Sequence, residues 1–207
     1  MIQSKAFEHI RQDSNCAVIV AHPDDETLWV GGTILLHPDS NWTIITLCRK
    51  SDPDRAPKFF RALEQLNAAG AMGDLDDGQE QTPLSARTVQ ETIIELLASD
   101  RFDLIITHGL WGEYSQHLRH EETGKAVMAL WESEKLFAKQ IWRFAYDDGG
   151  GKHLPRPVKN ADLQIELPEE TWQKKYDIIT KVYGFNADSF EAQTTPRKEA
   201  FWCFRHR

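Results

Sequence analysis

Two short stretches of this chain gather residue types that can act together on one substrate. The first is His22-Pro-Asp-Asp-Glu26, set directly after the apolar run Cys16–Ala21. The second is Thr107–His120, which carries His108, Glu113, His117 and His120 after the apolar run that begins at Phe102. Imidazole nitrogens and carboxylate oxygens without thiolate suit zinc, and also manganese, iron or cobalt. A hydrolytic zinc centre uses three protein ligands and leaves one position for water, whose pKa falls toward ~7. His22 and Asp25 from one stretch and His120 from the other supply such a set. Asp24 sits next to a ligand yet is free to point elsewhere, so it can take the proton of the water as general base. His117, three residues before His120, can stabilise an oxyanion or protonate a leaving group.

Blander accounts compete. Asp24, Asp25 and Glu26 also suit the first turn of a helix, where carboxylates meet the positive end of the dipole. On that stretch alone, metal site and helix cap stand level; only the second stretch tips the balance. Arg49, Lys50 and Arg55 follow another apolar run and can clamp an anionic substrate group, although such a cluster is more often a solvated loop. Glu113 is a substrate contact, a carboxylate that orients a ligand histidine, or a partner for its own loop. His108 fits a structural role as well as a site role. Trp29 and Trp111 flank the two stretches, where core packing is the commoner fate and stacking on a sugar the alternative. Cys48 reads as a buried thiol. The acids Asp74, Asp76 and Asp77 lack the spacing and closing Glu of an EF-hand.

The elements that must position these groups follow from periodicity. Cys16–Ala21, Trp42–Cys48 and Phe102–Thr107 are short, apolar and β-branched, as buried strands are. Helices are expected over Glu26–Leu36, Lys58–Ala69 (closed by Gly70), Ser85–Ser99, Glu121–Leu136 and Pro168–Tyr183, with a short helix within Met1–Asn15. Ala71–Thr82 reads as loop with at most a short strand. Lys139–Tyr146 and Asn160–Leu167 read as strands, and the late strands as antiparallel edges. Alternating strands and helices predict an α/β fold: a Rossmann-like, mostly parallel sheet with helices on both faces, in a single domain spanning 1–207. Both histidine-bearing stretches then lie at carboxyl ends of strands, where open α/β sheets bind ligands. Gly31-Gly32 marks either close helix–sheet packing or close approach to a ligand, and no G-x-G-x-x-G fingerprint is present. The Gly- and Pro-rich Asp147–Pro157 loop is placed to border the site.

Composition narrows the class. The 207 residues are 41% hydrophobic and 27% charged, ordinary for a globular domain. A net charge of −8 argues against a nucleic-acid partner. No stretch approaches the ~20 apolar residues of a transmembrane helix, and the polar N-terminus carries no signal-type core. Three widely spaced cysteines read as reduced thiols, so a cytoplasmic setting is expected. The pattern leaves a homo-oligomer open.

Ala21-His-Pro-Asp-Asp-Glu26 after a strand, and His117-Leu-Arg-His120 before a helix, resemble the two hallmarks of the LmbE-like, or PIG-L, family of metal-dependent N-acetylglucosaminyl deacetylases. The resemblance covers roughly Cys16–Leu136. It implies that His22, Asp25 and His120 hold zinc or another divalent transition metal, that Asp24 is the base and that His117 is the second catalytic residue. It further implies a small acetamido-sugar substrate, cleaved to acetate and a free amine. Many members carry a Thr-x-Gly-Glu-type turn after the second strand, where this chain has Leu47-Cys-Arg-Lys-Ser-Asp52. The group attached to the sugar is therefore not carried over. Two alternatives stand beside this reading: a hydrolase of a different amide on the same scaffold, and a non-catalytic Rossmann-like ligand-binding module.

Overall fold

The computed structural model of the chain describes residues 10–80, 82–114 and 117–205. Its strands are β1 (Asn15–Val20), β2 (Asn41–Cys48), β3 (Ala68–Leu75), β4 (Arg101–Thr107), β5 (Phe137–Phe144), β6 (Tyr146–Asp147), β7 (Arg156–Pro157), β8 (Leu163–Glu166) and β9 (Lys198–Arg205). The helices are α1 (Asp25–Leu36), α2 (Arg55–Leu66), α3 (Ala86–Leu96), α4 (Leu118–Glu132), α5 (Glu169–Asp177) and α6 (Phe190–Thr194), with a π-helical turn at Ile178–Val182. The main sheet has the order β3-β2-β1-β4-β5-β9-β8. The pairs from β3 through β5 are parallel, whereas β5–β9 and β8–β9 are antiparallel. The expected α/β architecture with antiparallel late strands is what the chain forms.

Chain order reverses between β1 and β4, whose ladder runs from Cys16↔Leu104 to Ile19↔Thr107. That is the topological switch point, where diverging connections leave a crevice at the carboxyl ends. Thr107 Oγ1 donates to the carbonyl of Ile19 at 2.8 Å and closes the crevice floor. β1 is buried on both faces, as its unbroken apolar run requires. One face packs on α1, α2 and the π-turn through Val18, Trp29, Phe59 and Ile179. The other packs on α3 and α4 through Ile19, Ile45, Ile93 and Val127.

Several boundaries differ from expectation. α2 starts at Arg55 and stops at Leu66, because Asn67 takes the left-handed conformation at φ 50° and its amide bonds back to Glu64 and Leu63. Gly70 therefore caps no helix. It lies inside β3, an edge strand that takes in the expected helix end at Ala68–Gly70 and the start of the segment expected to be loop with at most a short strand. α4 begins at Leu118, one turn early, and His117 is its N-cap residue. The expected Pro168–Tyr183 helix ends as α-helix at Asp177 and finishes in the π-turn. Of the expected N-terminal helix, residues 1–9 lie outside the described residues; residues 10–14 are not helical and Asn15 opens β1.

Gly31-Gly32 proves to be a packing device. A Cβ on Gly32 would lie 2.5 Å from Leu167 Cδ2 and 2.9 Å from a Glu199 oxygen. Glu199 is fully buried and accepts from the amides of Gly32 (2.8 Å) and Thr33 (2.7 Å) and from Lys175 Nζ (2.6 Å). This ion pair ties α1 to α5 and β9 beneath the site.

Candidate metal centre

The four residues after β1 turn abruptly. Asp24 has φ +114°, a conformation L-residues rarely adopt. It is held there by Glu26, whose Oε2 accepts from the Asp24 amide at 2.9 Å while its Oε1 accepts from the Tyr183 hydroxyl at 2.7 Å. The carbonyl of Asp24 accepts from the amides of Thr27 and Leu28 and so opens α1. Helix start and functional loop are thus one structure. The turn aims Asp24 and Asp25 differently. Asp25 points toward the histidines, and Asp24 toward Arg55, whose Nη1 lies 3.0 Å from Asp24 Oδ2.

The sheet order brings the second stretch beside the first. His22 Nδ1, His120 Nε2 and Asp25 Oδ2 form a triangle with edges of 3.2, 3.2 and 3.3 Å. Each donor is set by a partner behind it. His22 Nε2–H donates to Asp77 Oδ1 at 3.1 Å, which leaves the Nδ1 lone pair facing the triangle. His120 Nδ1–H donates to Glu113 Oε2 at 2.7 Å, which leaves Nε2 facing it. Asp25 Oδ1 accepts from Trp29 Nε1–H at 3.0 Å, and Oδ2 faces inward. Two lone pairs and a carboxylate converging at this range need a positive charge between them. A tetrahedral ion with bonds of ~2.0–2.1 Å requires donors about 3.3 Å apart. The donor set therefore fits zinc in kind, number and spacing.

The ionisation of Asp25 and Glu113 fits as well. Burial opposes charge on Asp25, but His120 and His108 hold its carboxyl well below the usual range. Burial likewise opposes charge on Glu113, yet His108 and His120 bring its pKa down to about 2. Asp24 is driven the other way, well above the usual range, by burial and then by Asp25, against the pull of Arg55.

His108 is placed among these groups without joining the triangle. Its Nε2 accepts from the Ala21 amide at 3.0 Å, and its Nδ1–H donates to Glu113 Oε2 at 2.8 Å. Burial lowers its pKa while Glu113 and Asp25 raise it, to about 9. The amide hydrogen directed at Nε2 decides for the neutral ring. His108 stacks on His120 at 4.0 Å and fixes its plane. His117 stacks on the other side of His120, also at 4.0 Å, with its edge toward His22. Its Nδ1 is buried without a hydrogen-bond partner among the described residues. Burial, then His120 and His22, lower its pKa to about 3.

Above the triangle lies a cleft of about 200 Å³, lined among others by Asp24, Arg55, Tyr114, His117 and Phe190. Arg55 borders it while paired with Asp24, its guanidinium 4.6 Å above the Phe185 ring. Of the expected substrate contacts, Arg49 also lines this cleft, and Arg49 and Glu113 both have carboxylate or histidine partners of their own. Arg49 Nε and Nη2 lie 2.8 and 2.6 Å from Asp77 Oδ2, so Arg49 braces the carboxylate behind His22. Glu113 is 1% exposed and its oxygens accept from His108, His120 and the Gly109 amide, so it orients a histidine and offers no face to a substrate. Trp29 is buried core, whereas Trp111 is 81% exposed. Cys48 is a buried thiol whose pKa burial, with Asp77, pushes up to about 12.

Sequence reasoning missed Asp77. It arrives because Arg119, 2% exposed, staples the 76–82 segment to α4: its Nε donates to the Asp76 carbonyl at 2.5 Å and its Nη2 to the Thr82 carbonyl at 2.8 Å. The acid-rich run at 74–77 was the available signal, and it names no partner.

Comparison with known proteins gives the family and the fold. Residues 17–131 match the family described as PIG-L, GlcNAc-PI de-N-acetylase. The 1D-myo-inositol 2-acetamido-2-deoxy-alpha-D-glucopyranoside deacetylase of Actinosynnema mirum is 28% identical over 193 residues, covering 73% of this chain and 67% of that protein. The uncharacterized protein L374 of Acanthamoeba polyphaga mimivirus is 20% identical over 184 residues, 81% of this chain and 75% of its own length. Among solved structures, GalB, the 4-carboxy-2-hydroxymuconate hydratase from Pseudomonas putida KT2440, superposes with a TM-score of 0.60 at 14% identity, over 93% of this chain and 97% of that one. That likeness concerns the fold alone. With its matched segment running from β1 through α4 and so including both histidine-bearing stretches, the chain belongs to the PIG-L (GlcNAc-PI de-N-acetylase) family.

Proposed function

We propose that this protein is a metal-dependent deacetylase that hydrolyses the acetamide of an N-acetylglucosamine-type conjugate. The observation that carries the reading is the triangle of His22 Nδ1, Asp25 Oδ2 and His120 Nε2, 3.2–3.3 Å on edge and preset by Asp77, Trp29 and Glu113. The family match and the deacetylase relative supply the class of bond and substrate. No helix among the described residues is long and apolar enough to cross a membrane.

His22, Asp25 and His120 would hold the ion, with zinc the best fit to their donors. When bound, it supplies a Lewis acid and lowers the pKa of coordinated water. Asp24 takes the proton of the attacking water. Its position beside Asp25 but turned from the triangle suits a base that is no ligand. His117 lies on the cleft wall, where its ring can serve the amide oxygen as charge gathers there. Addition of water to the carbonyl is followed by cleavage of the C–N bond. Asp24 returns the proton to the departing nitrogen, giving acetate and a free amine. Arg55, ion-paired to Asp24 at 3.0 Å, holds the carboxylate over the cleft.

Acetate release from N-acetylglucosamine conjugates, measured with metal content, tests this. Asp24→Asn should lower kcat by about 10²–10⁴-fold while metal content stays near that of the parent protein. Unchanged turnover in that variant would sink the assignment.

One observation favours a second ligand set. His22, His117 and His120 can each offer a nitrogen within 4.8 Å of the others. If His117 is a ligand, His117→Ala loses metal; if it acts on the amide oxygen, that variant keeps metal and loses turnover.

A further inference from the structure

A backbone angle of φ +114° persists at an aspartate only where its surroundings hold it there. At Asp24 the restraint arrives from far along the chain, from the π-turn Ile178–Val182 and the three residues after it. The Tyr183 hydroxyl donates to Glu26 Oε1 at 2.7 Å, and Glu26 Oε2 accepts from the Asp24 amide at 2.9 Å. The Phe185 ring lies 4.6 Å from the Arg55 guanidinium, and Arg55 Nη1 lies 3.0 Å from Asp24 Oδ2. One short segment thus grips Asp24 at both ends. It reaches the amide through Glu26 and the carboxylate through Arg55. The whole segment lies beyond the family-matched residues 17–131.

The local structure aims both rings. The Tyr183 amide bonds to the carbonyl of Ile178, five residues back, at 3.0 Å, and the Phe185 amide to that of Ile179 at 3.3 Å. Such wide turns are rare and occur mostly at functional sites. Gly184, next in line, has φ +80°, and the nearest atom to a Cβ there would be Lys58 Nζ at 3.7 Å. Glycine serves the bend at this position, not a lack of room. The bend leaves Tyr183 and Phe185 side by side, with ring centroids 6.3 Å apart. Tyr183 is buried, and phenylalanine would fill the same core volume. What the tyrosine adds is the hydroxyl, and the hydroxyl goes to Glu26.

We infer that Tyr183 and Phe185 are positioning residues for the general base, a clamp that fixes the backbone and the carboxylate of Asp24 together. The inference rests on the reading of Asp24 as that base. Neither ring lines the cleft, so both act through Glu26 and Arg55. Asp24 adjoins the ligand Asp25, so a relaxed Asp24 backbone would shift the base relative to the triangle. A shift of about 1 Å in a reacting group can cost about 10²-fold in rate.

Tyr183→Phe removes the hydroxyl alone, and Phe185→Leu the ring face alone. Each should lower kcat for acetate release about 10–100-fold, with KM and metal content close to those of the parent protein. Phe185→Tyr returns a ring face to Arg55 and should recover most of the kcat lost in Phe185→Leu. Should Tyr183→Phe fail to fold, the two Phe185 variants carry the test. A second readout needs no turnover. Amide hydrogen exchange at Asp24, followed by NMR, should quicken about tenfold in Tyr183→Phe while the amides of β1 keep the rates of the parent. Exchange unchanged at Asp24, or quickened equally along β1, would overturn the clamp. So would an unaltered kcat in both Tyr183→Phe and Phe185→Leu. If exchange at Asp24 responds as expected but the parent protein releases no acetate from any conjugate, the clamp stands and the deacetylase reading fails.

Discussion

Asp77 Oδ1 lies 3.1 Å from His22 Nε2, although Asp77 follows an edge strand and His22 follows a central one. The contact selects which imidazole nitrogen faces the triangle. Carboxylate partners of this kind typically alter metal affinity 10–100-fold. Asp77→Ala should therefore weaken zinc binding by about that factor, read by competition with a chromophoric chelator, while thermal unfolding of the metal-free protein changes little. Asp77→Asn keeps an acceptor and should fall between the two. An affinity unchanged in both variants would show that His22 needs no such partner.

The Lys175–Glu199 pair, fully buried on both sides, makes a different prediction. Removing one member leaves an uncompensated charge where water cannot reach, at a cost of about 3–5 kcal/mol. Lys175→Met and Glu199→Gln should each lower stability by that order in urea denaturation. The double variant should be less destabilised than the sum of the two. Strict additivity would mean that the pair is not coupled.

Thiol chemistry should be silent in the native state. Burial pushes Cys16, Cys48 and Cys203 each up to about 12. The thiolate is the reactive form, so a disulfide-exchange reagent at pH 8 should label none of them at an appreciable rate. All three should react once the chain is unfolded in guanidinium. Rapid labelling of Cys48 in the folded protein would contradict the burial described for the end of β2.

At the amino-terminal ends of the central strands, Lys139 and then the Asn15 amide hold the Asp103 carboxyl below its ordinary value. A carboxyl depressed in the folded state stabilises it above the unfolded pKa, near 4. That contribution fades as pH falls through the lower folded value. Asp103→Asn should cost about 0.5 kcal/mol at pH 7, reflecting the partial exposure of the pair. The difference from the parent protein should vanish near pH 2. A difference that instead grew on acidification would reverse the assignment.

The central strands were legible because β1, β2 and β4 are dense in β-branched and apolar residues, as strands covered on both faces must be. β3 was not. Its sequence, AAGAMGDL, has few side chains to show a period. At Gly73 a Cβ would lie 2.7 Å from the Leu47 carbonyl, so the small residues are there for close strand approach, which reads locally as loop. With only a short strand expected there, the path of the segment that follows stayed unread, and with it the partner of Asp77. The histidines and aspartates of the triangle were visible as types and spacing. That they meet depends on β1 lying beside β4, which is a property of the sheet order and of no local pattern.

The partners behind the three donor atoms come from three unrelated parts of the chain: Trp29 from within α1, Glu113 from the β4–α4 connection, and Asp77 from beyond β3, itself moored by Arg119. Portability is the casualty. Grafting His22–Glu26 and His117–His120 onto a foreign scaffold would transfer the ligands stripped of their tautomers and aim. A working transplant would have to carry the whole half-sheet from β1 to α4, and that is the stretch over which family likeness runs.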